Sequence, residues 1–171
     1  MDNENRYGEA LQAYYSATGF LDTAENLFST GKKDAAYLFT CSMYPLTVNA
    51  SFACELYIKA ILILNNLSYR HIHELKSIYS MLPEKVKESI EQAYSACGQS
   101  DSVDSILEKY NTAFINWRYP FDTKSSKNTL VVAWTSLLCF AGSLKEECEK
   151  CIENAKSNID NTNLEAKDHA D

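Results

Sequence analysis

The stretch PLTVNASFACELYIKAILIL, residues 45–64, is apolar on nearly every face of the helix it would form. Such a helix needs neighbours on all sides, so it must be the central member of a multi-helix assembly. Pro45 opens the stretch. Proline has no amide hydrogen and crowds the turn before it, which predicts a kink or a restart inside the otherwise helix-compatible run from Asp34 to Leu64.

The flanking segments supply the neighbours. Tyr7, Ala10, Leu11, Tyr14, Leu21, Ala24, Leu27 and Phe28 lie on one helical stripe, predicting a first helix over about residues 4 to 29. Gly31 then suits the positive-φ position after a helix end. HELKSIYSML predicts a short helix that stops at Pro83, and PEKVKESIEQAYSAC restarts with acids near its N-terminus. Ser102 or Asp101 can cap the next helix, whose stripe of Val103, Ile106, Leu107, Tyr110 and Phe114 ends on Trp117. Pro120 excludes helical geometry at Tyr119, so RYPFD reads as an extended turn. Leu130, Trp134, Leu137, Leu138, Ala141, Leu144 and Ile152 mark a final helix roughly 35 Å long at about 1.5 Å per residue.

Beyond Ile152 the stripe fades, so residues 155–171 are expected to form a polar, disordered tail behind a single domain over 1–154. No run alternates with the two-residue period of strands. The expected fold is all-α: an antiparallel up-down four-helix bundle with one or two additional short helices.

Charge and cysteine usage narrow the function. A net charge of -7 disfavours polyanion binding unless cations gather on one face, and only Lys32 with Lys33, or Arg118 with Lys124 and Lys127, offer that. The N-terminus is polar and acidic, and no apolar run reaches the roughly 20 residues of a membrane span. The six cysteines are therefore expected as free thiols in a cytoplasmic protein, with Cys41, Cys54 and Cys139 packing as small hydrophobes. Cys148 and Cys151 form a lone CxxC among carboxylates near a helix C-terminus, which suits neutral thiols better than zinc or redox chemistry. With five glycines the chain draws neither a dinucleotide fingerprint nor a phosphate loop, and no cofactor or metal is expected.

Two places carry candidate chemistry. Glu55 and Lys59 stand one turn apart within the apolar central helix, in the favourable acid-before-base order, and an unpaired charge there would cost several kcal/mol. Something polar must face them. Arg118, at the start of the Pro120 turn, is the candidate partner in a structural network of Glu55, Lys59, Arg118 and Asp122; a site facing a ligand is the other reading. The second place is YRHIHEL, where His73 begins a helix that it could cap, or could titrate near neutrality. Arg70 and His71 beside it do not complete a metal set.

These segments, NASFACELYIKAILIL, HELKSIYSMLP and NTAFINWRYPFD ahead of a last amphipathic helix, resemble in order the HEPN domain family over about residues 34 to 145. The resemblance implies a helical bundle that often dimerises beside its arginine turn. Many members are ribonucleases acting as toxins or defence effectors, while others are non-catalytic partners of nucleotidyltransferases or nucleotide-binding modules. The nuclease members carry an arginine followed, after four to six residues, by a histidine. Here Arg118 is followed by YPFDTKSSKN, and the histidines are His71, His73 and His169. Proton transfer, worth about 10²–10⁴-fold, cannot come from a permanently protonated guanidinium. The expected function is thus a non-catalytic module, a homodimer binding a nucleotide, RNA or a protein partner such as a nucleotidyltransferase in a bacterial stress or defence system. Arg118, Tyr119, Lys59, His73 and Lys124 are its candidate ligand contacts. The alternative is a divergent, metal-independent ribonuclease in which His73 joins Arg118.

Overall fold

The computed structural model describes residues 3–31, 34–68, 71–116 and 133–168, and among these every regular element is a helix. Helix α1 spans Asn3–Gly31, and a single turn α2, Ala35–Tyr37, leads into a π-helical segment, Leu38–Ser42. Then come α3 (Met43–Leu64), α4 (Leu75–Ser80), α5 (Glu84–Ala96), α6 (Val103–Tyr110), α7 (Ala113–Asn116) and α8 (Trp134–Asp168).

Side-chain pairings fix the topology. Tyr14 donates to Glu149 at 2.6 Å, and at the other end of the same two helices the Phe28 and Trp134 rings lie 6.5 Å apart, so α1 and α8 run antiparallel. Phe20 meets Phe52 at 4.7 Å and the Thr18 and Tyr57 hydroxyls meet at 3.1 Å, so α1 also opposes α3. On α5, Ser89 donates to Glu147 at 2.6 Å while Tyr94 meets Phe140 at 6.2 Å, which opposes α5 to α8. The four long helices α1, α3, α5 and α8 therefore alternate up and down.

Helix α3 lies between α1 and α8 and supplies much of the core, with Ala50, Ala53, Cys54, Tyr57, Ile58 and Ile61 fully buried. It corrects one expectation. Over 22 residues, with mean hydropathy 1.5 in its most apolar window, it is long and apolar enough to cross a membrane. That window is 67% buried by neighbouring helices, and their cover accounts for its apolar faces. One polar pair inside is matched: the Trp134 indole donates to Thr47 Oγ1 at 3.1 Å.

The interruption expected at Pro45 takes the form of the π-helical segment just upstream. Pro45 is the third residue of α3, where a helix needs no donated hydrogen from it. The widened turn absorbs the ring without ending the helical path.

Three other sequence expectations change. Gly31 does not adopt a positive φ; it ends α1 where Leu38 passes so close that an added Cβ would lie 2.8 Å from Leu38 Cβ. A Gly31→Ala variant should lose about 1–2 kcal/mol in chemical denaturation, overpacking outweighing the gain in helix propensity. The single helix expected over 103–117 breaks after Tyr110, because Asn111 is drawn out to cap α4: its carbonyl accepts from the Leu75 amide at 3.0 Å and its side chain from the Lys76 amide at 2.8 Å. Ser102 does cap α6, accepting from the Ser105 amide at 3.2 Å. Finally, α8 continues to Asp168, so the stretch 155–168, expected as disordered tail, is helical. No glycine or proline interrupts it after Gly142, and Lys150 pairs with Glu146 one turn away at 3.0 Å.

Candidate functional site

The site begins with a chain reversal at the end of α3. Asn65 closes the helix and Asn66 turns left-handed at φ 59°. The Leu67 amide then reaches back to the Leu62 carbonyl at 2.9 Å and the Asn66 amide to Ile63 at 3.1 Å. This pair of bonds is the Schellman closure, in which asparagine serves because its short amide tolerates positive φ. His71 is also left-handed, at φ 65°. The returning chain brings His73 alongside α3.

There His73 Nδ1 lies 2.8 Å from Glu55 Oε1, and Lys59 Nζ lies 2.6 Å from the same oxygen. The arrangement is graded from core to solvent: the side chains of Glu55, Lys59 and His73 are 1%, 12% and 49% exposed. An ionised carboxylate only accepts, so His73 Nδ1 must carry its proton toward Glu55. The remaining nitrogen, Nε2, is then an acceptor in the neutral ring or a second donor in the imidazolium. In the charged state the trio sums to one positive charge.

Among the described residues, Glu55 Oε2 is buried and meets no donor. A buried carboxylate oxygen without a donor costs about 1–3 kcal/mol or more.

The structure thus joins Glu55 and Lys59 as the sequence predicts, and adds His73, which the sequence reading left outside that network. His73 does not cap α4; Glu74 occupies the cap position and Asn111 supplies the bonds. Arg118, Tyr119, Asp122 and Lys124, together with Trp117, lie outside the described residues. Phe114, read as core, stacks on Phe52 with centroids 4.0 Å apart and planes 8° from parallel. Among the described residues no group of three or more histidines, cysteines or acids is placed to hold a metal. At the CxxC, burial first and then the neighbouring carboxylate raise the Cys151 thiol to about 11, and burial pushes Cys148 higher, so both are protonated at neutral pH.

Among known protein families, the HEPN domain matches this chain over residues 11–162. No curated protein and no solved structure matches it.

Proposed function

Because the chain belongs to the HEPN domain family, we propose that it is a non-catalytic binding module of that family, a homodimer that takes up the phosphate of a nucleotide or RNA in a stress or defence setting. The observation that carries this reading is the half-exposed His73 imidazole held through Nδ1 by buried Glu55. With Nδ1 held by Glu55, the outward Nε2 of the imidazolium is a donor that a phosphate oxygen can accept from. Lys59 adds a second cation to the same Glu55 oxygen. Arg118, Tyr119 and Lys124 are the contacts proposed from the segment that follows α7 in sequence. The local positive charge is small, which fits one phosphate rather than a long polyanion on a chain of net charge -7.

The same bond gives the ribonuclease reading its one specific support. A ring oriented by a carboxylate presents Nε2 as a proton acceptor, the arrangement general bases share. Against it stands the sequence after Arg118, which contains no histidine until His169.

One experiment separates the readings. Labelled RNA and a nucleoside triphosphate are titrated into the purified chain without metal, with cleavage followed in the same samples. The binding module predicts intact RNA and a loss of roughly 10- to 100-fold in affinity in His73→Ala, as expected for one charge-assisted hydrogen bond. Cleavage abolished by both His73→Ala and Arg118→Ala supports the ribonuclease instead. Absence of binding to either ligand overturns the proposal.

A further inference from the structure

A cavity of about 310 Å³ lies away from Glu55, walled by α1, α5 and α8. Phe28 and Leu138 give it an apolar floor, and two of its lining residues are the cysteines Cys97 and Cys139. Both thiols are free, Cys97 exposed and Cys139 half-buried.

The local backbone holds them together. Cys97 is the C-terminal cap of α5, and Gly98 at φ 69° turns the chain toward α8. Two residues after Cys97, Gln99 accepts from Ser136 Oγ at 3.2 Å, and Asp101 accepts from the same hydroxyl at 3.1 Å. Ser136 precedes Cys139 by less than one turn of α8. The α5–α6 turn is thus clamped onto the stretch of α8 that carries Cys139. Both thiols line the same cavity, and burial first, then the Cys97 thiol, raises Cys139 to about 11.

We propose that Cys97 and Cys139 are a dithiol that a hydroperoxide converts to a disulfide, stapling the α5–α6 turn to α8 across this cavity. The exposed Cys97 sulfur attacks the peroxide's terminal oxygen; the O–O bond breaks, and the alkoxide leaves as an alcohol after taking a proton. Cys139 sulfur then attacks the resulting Cys97 sulfenic acid. The S–S bond forms, the S–O bond breaks, and hydroxide departs with the Cys139 proton as water. Two thiols lose two electrons and two hydrogens, and the peroxide is reduced to alcohol and water.

The other cysteines fit this chemistry less well. Cys54 and Cys148 are fully buried, and Cys41 sits on the π-helical segment. A bridge from 97 to 139 closes a loop containing α6, α7 and the segment that bears Arg118. Closing a loop of that length restricts the unfolded chain substantially.

The test treats the full chain, reduced beforehand, with one equivalent of hydrogen peroxide. Cysteine pairing is mapped by non-reducing peptide mass spectrometry, and thermal unfolding is recorded before oxidation, after it, and after a dithiol reductant. The expected result is a Cys97–Cys139 linkage with a Tm rise of roughly 5 to 10 °C that the reductant reverses. Cys97→Ser and Cys139→Ser should each lack both, whereas Cys41→Ser and Cys151→Ser keep both. A Cys148–Cys151 bridge, a covalent dimer through Cys41, terminal oxidation of Cys97 with Cys139 still free, or a linkage without the Tm rise overturns the proposal.

Discussion

Glu55→Ala is expected to lower the stability of the fold by about 3–5 kcal/mol, because it removes the buried carboxylate that holds the Lys59 ammonium on a largely apolar helix face. Lys59 is 12% exposed and donates to Glu55 at 2.6 Å, so its charge loses this short ion pair without gaining much water. For a chain of this size the loss corresponds to a fall in Tm of roughly 10 °C, measurable by circular dichroism. The double variant Glu55→Leu with Lys59→Met removes both charges and should recover most of that loss, since well-packed apolar replacements of a buried pair are often neutral or better. A double variant as unstable as Glu55→Ala would show that Glu55 acts through something other than Lys59. Either variant also frees His73, and phosphate affinity should fall even where the double variant regains its Tm.

The second large effect is Phe140→Ala. Phe140 is fully buried on α8, 5.9 Å from the Tyr79 ring and 6.2 Å from Tyr94, where α4 and α5 close over the bundle. Truncation removes most of a large side chain from a site whose walls belong to three helices and cannot collapse together. The expected cost is about 3–5 kcal/mol, read as a shift of the denaturant midpoint at unchanged slope. Phe140→Leu, which keeps more of the volume, should cost less than half as much. If Phe140→Ala unfolds like the unmodified chain, α8 does not bind the upper half of the bundle through this ring.

The sequence shows the long helices because their stripes are local. In α1, α5 and α8 the apolar residues recur at three and four, and in α3 the all-round apolarity announces its place at the centre. What stays hidden depends on partners far along the chain. The break at Asn111 cannot be read from its neighbours, whose stripe runs on through Phe114; it exists because Leu75 and Lys76 need acceptors. The helical extension past Ile152 lacks an apolar stripe but also lacks helix breakers, and a reading weighted to burial misses it. In the site, Glu55 and Lys59 are one turn apart and therefore legible. His73 is not, since 18 residues and two left-handed turns separate it from Glu55. The available signal was Asn66, a residue suited to positive φ immediately beyond a helix end, which implies that the chain doubles back toward α3.

Asn111 has a mechanical consequence. One side chain and its own carbonyl hold the first two amides of α4, two residues beyond His73, while the helical turn α7 starts two residues after it. Asn111 works as a linchpin: the start of α4 and the α6–α7 junction cannot drift independently while it stays in place.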